Sequence, residues 1–355
     1  MSGPLIFTDR HHHALMESLE LTLGDRLGAQ VYYPYGLDWF EREYWSFERA
    51  WHGDAVAKQY LLGVWGDPEW IGGRPISPDP KHPARLIKGT TLDDALTVDW
   101  DIVLTSLPHN YDGYYRFAQE TGARYGVQIG NEAQPIDPRA DFCLSSSTLP
   151  GYGPEWIGKV FDYYGVPTLM YHQEFSLDTF RHEWPPKTKA IGSFIQCFAE
   201  NRDWYAEFRD IARSLSEFDW RVYGSYGSVE SDEFAAGDIT TTEDIADEMR
   251  AMRVIWHQKG WGDGYGHVLH NAFAIGRPVV GRASYYAPRL GGPLWVDGVT
   301  SFDIDTRSRA ELTGILARLI GDDDYHRQIS ENAAARFREI VNFDMEAEAI
   351  QGLLS

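Results

Sequence analysis

At 355 residues the chain exceeds what one hydrophobic core usually serves, so two domains are expected. A net charge of −21 argues against general DNA or RNA binding, which needs clustered Lys and Arg, and 43% hydrophobic content argues against disorder. The two cysteines, Cys143 and Cys197, lie in apolar segments with no metal-ligand spacing, which predicts buried thiols in a reducing compartment.

Aromatic residues make up 14% of the chain, with 13 Trp and 20 Tyr. Flat apolar rings pack against sugars and bases, and equally fill cores; both readings stand at this point. The segment MSGPLIFTDRHHH has no basic region followed by an apolar run, and no stretch is long and apolar enough to span a bilayer, so a cytoplasmic protein is expected.

In chain order, Leu5-Ile6-Phe7 reads as a strand ending in a polar loop from Thr8 to His11. Leu15, Leu19, Leu23 and Leu27 recur every four residues and predict a helix with one apolar face, stopped by Gly28. Ala29 to Tyr33 is a strand before Pro34. Residues 36–98, rich in Tyr, Trp and Pro, read as irregular. Strands follow at 100–106, 124–129, 142–145 and 166–171, with a helix over Tyr111–Thr121 closed by Gly122. Residues 172–188, with Pro185-Pro186, mark the domain junction.

Alternation then restarts: strand 190–198, helix 204–215, strand 220–223, helix 242–252, strand 253–257, helix 267–275, strand 278–280, and helices over 308–320, 323–341 and 344–354. The fold class is therefore α/β. Two Rossmann-like domains with parallel sheets, 1–171 and 187–342, are expected to face each other across a cleft. A terminal helix in 343–355 is expected to pack back on the first.

The richest segment for chemistry runs from Val254 to Gly281. It is a strand, a loop carrying Gly260, Gly262, Gly264 and Gly266, a helix start and a second strand. Glycines permit close backbone approach, and the free N–H groups at the helix start suit a phosphate. Asp263-Gly264-Tyr265-Gly266, followed at fixed spacing by Asn271-Ala272-Phe273-Ala274-Ile275-Gly276-Arg277-Pro278-Val279-Val280, resembles the donor region of GT-B glycosyltransferases of the family 4 and family 1-like kind. Asp263 and Asn271 stand where that family carries glutamates. The resemblance covers roughly residues 187–340, and over 1–171 it rests on element order alone.

The resemblance implies a glycosyltransferase that takes a nucleotide sugar as co-substrate, with no other cofactor and no metal. Its implied donor-binding residues are Arg202, Lys259, Gly262, Asp263, Gly264, Tyr265, Gly266, His267 and Asn271, with Asn271 on the ribose and Arg202 and Lys259 on the diphosphate. It also implies an acceptor, a small molecule or glycan, facing the loop after the first strand. There His11 or His12 is a candidate base oriented by Asp9, and His109 is a second candidate; Asn131 and Glu132 lie in a further loop of the same end. Helix capping by Asp9 with solvated histidines is the competing reading. His11, His12 and His13 are adjacent and converge poorly on a metal. Asp322-Asp323-Asp324 reads as a helix cap. A nucleotide-sugar 2-epimerase, a transferase that modifies nucleic acid, and a non-catalytic nucleotide- or glycan-binding protein remain open alternatives.

Overall fold

The computed structural model describes residues 3–9, 13–46, 49, 53–56, 58, 65, 67–131, 134–196, 198–199, 202–224, 233–259 and 264–355. The chain divides into two compact units. The first is Met1–Phe175 together with Phe343–Ser355, and the second is Ser176–Asn342.

The first unit is built on ten strands: β1 (Leu5–Thr8), β2 (Gln30–Pro34), β3 (Glu69–Ile71), β4 (Arg74–Pro78), β5 (Leu86–Thr90), β6 (Ile102–Thr105), β7 (Arg124–Ile129), β8 (Phe142–Ser145), β9 (Val160–Tyr163) and β10 (Val166–Met170). Their order is β3-β4-β5-β2-β1-β6-β7-β8-β10-β9. The central pairs are parallel, whereas β3, β4 and β9 pair antiparallel at the two edges. Residues 36–98, read as irregular from the sequence, thus contain a hairpin that extends the sheet. Its strands are short and interrupted by Pro75 and Pro78, so no period-2 run marks them.

Four described α-helices lie between these strands in the chain, α1 (His13–Leu19), α2 (Asp38–Glu41), α3 (Leu92–Ala95) and α4 (Tyr111–Thr121). Alternation along the strands sends neighbouring residues to opposite faces. Phe7, Tyr32 and Val103 join Trp39 of α2 and Tyr114 and Phe117 of α4 on one face. Ile6, Tyr33 and Leu104 join Leu15, Leu19 and Leu23 on the other, where Ile350 of the terminal helix, Phe343–Leu354, also packs. Most of the aromatic excess therefore fills cores. Trp39 stacks on Phe7 at 4.5 Å, and Cys143 lies fully buried, its thiol pushed up to about 12 by burial. Cys197 lies outside the described residues.

The first helix starts as expected but changes pitch. His13–Leu19 is α-helical, and Glu20–Arg26 continues as a π-helix. Positions four apart drift about 40° per step around an α-helix. The wider π turn drifts the other way, which keeps Leu15, Leu19 and Leu23 on one stripe.

The second unit has six parallel strands: β11 (Ile191–Ser193), β12 (Trp220–Tyr223), β13 (Ala235–Gly237), β14 (Val254–His257), β15 (Val279–Gly281) and β16 (Ser301–Asp303), in the order β13-β12-β11-β14-β15-β16. The strand read over 190–198 is only three residues long; beyond Ser193 the chain leaves the sheet as a loop whose Phe194 and Ile195 are buried, Phe194 stacking on Tyr223. Helices are α5 (Arg202–Ser214), α6 (Thr242–Ala251), α7 (His267–Ala274), α8 (Ala283–Tyr286), α9 (Arg309–Gly321) and α10 (Asp323–Ile340). Thr241, Ser308 and Asp322 cap α6, α9 and α10 through side-chain oxygens. Asp322 accepts the Tyr325 N–H at 2.9 Å, while Asp323 pairs with Arg253 at 2.8 Å. Arg277, fully buried, donates to the carbonyls of Ile275 and Arg250, the latter in the last turn of α6.

His326 of α10 is held in one neutral tautomer. The Trp184 indole N–H donates to its Nδ1 at 3.1 Å, so Nε2 carries the proton and donates to the Arg253 carbonyl at 2.8 Å. Burial holds its pKa down at about 4, because a charged ring is desolvated and a proton on Nδ1 would oppose the indole donor. The depressed pKa means the native state resists protonation more than the unfolded chain does. Stability is therefore complete above pH 6.5 and lost as pH falls toward 4, by up to about 3 kcal/mol. We expect the melting temperature to fall between pH 7 and pH 5, and this fall to shrink in His326→Gln. A pH dependence identical in wild type and variant would contradict the assignment.

Candidate functional site

In a parallel sheet a ligand crevice forms at the carboxyl ends of two adjacent strands whose following connections leave in opposite directions. The order of the second unit puts that point between β11 and β14, since β11 leads to β12 on one side and β14 leads to β15 on the other. Ser193 closes β11 there, and His257, Gln258 and Lys259 follow from β14. Helix α5 begins at Arg202 and α7 at His267, so both helices start at this end of the sheet.

The turn before α7 is held from several sides. Gly266 caps the helix at φ +80°, and a Cβ there would sit 2.8 Å from the Tyr286 ring. Tyr265 stacks flat on His270, with centroids 4.0 Å apart. The His270 Nδ1–H donates to the Gly266 carbonyl at 3.0 Å. His257 Nε2 meets the Tyr286 hydroxyl at 2.6 Å. Gly264, Tyr265 and Gly266 are buried, and His267 and Lys259 are half-buried. Asn271 lies one turn into α7, 2% exposed, and its Oδ1 has no hydrogen-bond partner among the described residues. Gly262 and Asp263 fall outside the described residues, and of Arg202 only the backbone is described.

The first unit reverses strand order between β1 and β6, and Asp9 sits at that point. It is fully buried. Its carboxylate accepts the Ser106 N–H at 2.9 Å, the Ser106 hydroxyl at 2.6 Å and the Thr105 hydroxyl. Burial raises its pKa, and those hydrogen bonds pull it partly back. Asp9 thus ties the end of β1 to the end of β6. Gln134 Nε2 extends the network to the carbonyls of Ser106, at 2.9 Å, and Gln128, at 3.0 Å. Gln173 donates to the Ser146 hydroxyl at 2.8 Å after β8 and β10. His109 is exposed in a single 3-10 turn, Pro108–Asn110, and Asn131 is exposed after β7. His11, His12 and Glu132 lie outside the described residues.

The geometry brings Gly264, Tyr265, Gly266, His267 and Asn271 to one helix start, with Lys259 at the end of β14. In the first unit it joins Asp9 to the loop that carries His109. Ser106, Gln134, Ser146, Gln173, Ser193 and Gln258 were not singled out from the sequence. The available signal was their position just past strand ends.

Because Gly266 combines a left-handed conformation with a blocked Cβ direction, Gly266→Ala is expected to destabilise the protein by about 1–3 kcal/mol. Urea unfolding checks this, and an unchanged midpoint would show that the turn tolerates a side chain.

The sequence matches no protein-family model, and no curated protein matches it. Solved structures do match the fold. HepE of Anabaena, in complex with UDP and glucose, aligns with a TM-score of 0.61 at 11% identity over 98% of both chains. Sucrose-phosphate synthase of Thermosynechococcus elongatus aligns at 0.59 and 12% identity over 99% of this chain and 98% of that one. The pneumococcal O-GlcNAc transferase GtfA, in complex with UDP and GlcNAc, aligns at 0.59 and 10% identity over 99% of each chain. The chain has the fold of these proteins, two Rossmann-like units of the GT-B type.

Proposed function

We propose that the protein transfers a sugar from a nucleoside-diphosphate donor to the hydroxyl of an acceptor. The observation that carries this reading is the glycine-capped start of α7 beside the strand-order reversal of the second unit. The positive amide end of a helix at that position matches a diphosphate. HepE, whose fold this chain shares, is also solved with UDP-glucose, which supports a nucleotide-sugar donor.

In this reaction the bond from the sugar's anomeric carbon to the diphosphate breaks. A new bond forms to the acceptor oxygen, and the acceptor's proton leaves to a base. Negative charge grows on the leaving diphosphate, and stabilising it is the main electrostatic demand. The amide end of α7 answers that demand, with His267, Lys259 and Arg202 as further donors, so we infer that no metal is needed. Asn271 offers a neutral amide to a ribose hydroxyl. The β1–β6 end of the first unit is the acceptor surface in this reading. Asp9 holds its two loops together, and His11, His12 and His109 are the candidate bases. Among the described residues no helix is long and apolar enough to cross a membrane, and we place the enzyme in the cytoplasm.

Asn271→Ala is expected to raise the donor KM about tenfold with a smaller change in kcat, because it removes one hydrogen bond made to bound donor. Turnover with excess chelator should equal turnover without it. Complete loss on chelation would overturn the metal-independent reading, and failure of every nucleoside diphosphate to bind in calorimetry would overturn the reading as a whole.

A further inference from the structure

The end of β14 holds a second polar group that the proposed chemistry has not used. Gln258 is completely buried. The Trp256 indole N–H donates to its Oε1 at 3.1 Å. An indole nitrogen only donates, so the carboxamide cannot be turned over: the oxygen faces Trp256 and the NH2 group faces away. That Nε2 is buried with no partner among the described residues. An unmade hydrogen bond at a buried amide is costly, and a locked one has nowhere else to turn. On the neighbouring strand the register Gly192↔Ile255 puts Ser193 beside Trp256. The Ser193 hydroxyl is likewise buried and has no partner among the described residues.

These groups lie on a definite side of the sheet. Trp256 belongs to the same core cluster as Ile191 and as Phe208 and Ile211 of α5. His257 points to the opposite face, to Tyr286, whose ring lies against Gly266 at the start of α7. The helix start assigned to the diphosphate is therefore on one face, and Gln258 with Ser193 is on the other, at the same strand ends. Ligands of such sheets lie in the crevice outside the strand ends at the reversal point, so a nucleotide whose phosphates meet the start of α7 has Gln258 and Ser193 across the same strand ends for its base.

Resting on the donor reading above, we propose that Gln258 reads the nucleobase. Its NH2 group donates to the ring carbonyl that stands where the matching base carries an amine, at C4 of uracil or C6 of guanine, and with its oxygen turned toward Trp256 it points no acceptor at that amine. The site thus selects a keto base over the matching amino base. Ser193, which both donates and accepts, supports the bound ring without imposing that choice.

UDP and CDP form one such pair and GDP and ADP another, and calorimetry of the whole chain with these four ligands tests the proposal. In at least one pair the keto nucleotide should bind about tenfold tighter or more. Gln258→Leu should weaken that nucleotide to the level of its amino counterpart and leave the counterpart within about twofold. Gln258→Glu, which replaces the donor by an acceptor, should shift preference toward the amino base; melting curves of both variants establish that they are folded. Equal binding within both pairs, or discrimination that survives Gln258→Leu, overturns the proposal and leaves the sugar-transfer reading standing. If none of the four binds, both fall.

Discussion

Parallel strands have to be joined by crossovers over the face of the sheet, and nearly all such crossovers share one hand. A sheet that grows outward from its middle in both directions must therefore part its connections once. Both sheets here do so, between β1 and β6 and between β11 and β14. At those two places the strand ends are not roofed by their own connections, and the residues there answer to something other than core packing.

At the first reversal point a buried carboxylate is held by donors from the neighbouring strand end. In the first unit the carboxylate of Asp9 is surrounded by donors from Ser106 and Thr105, and Gln134 carries the network onward. A buried polar cluster satisfied in this way fixes the position of loops. In the second unit Ser193, Gln258 and Asn271 each keep a buried polar atom without a partner among the described residues. Native interiors tolerate few such atoms, and on the donor reading proposed above a ligand's hydrogen bonds would relieve the cost of these three.

Much of the architecture was legible in the residues because it follows from local rules. Continuous apolar runs such as Ile102–Thr105 marked buried parallel strands, Gly122 ended α4 in the left-handed conformation, and Thr241 and Asp322 capped their helices. What escaped the sequence depends on neighbours brought from elsewhere. The edge hairpin of β3 and β4 has strands too short to show a period, and the π-helix over Glu20–Arg26 carries no residue signature. Asp9 was picked out by its place after the first strand, yet its partners lie nearly a hundred positions away. Gln258 drew no notice, since a glutamine after a strand belongs to no pattern; its fixed orientation comes from Trp256, and its unmet donor is visible only in three dimensions.

The helix Phe343–Leu354 belongs to the first unit although the whole of the second unit precedes it in the chain. Glu346 binds the backbone N–H and ring of His172, Phe343 meets the Phe175 ring, and Ile350 is 1% exposed in the core beside Leu169. During synthesis the residues of β1 to β10 leave the ribosome long before the segment that covers part of their apolar face. The second unit, whose core draws only on its own contiguous residues, can close first. The amino-terminal sheet thus spends an interval with an uncovered stripe around Leu169, when chaperone capture and misassociation compete with completion of the fold.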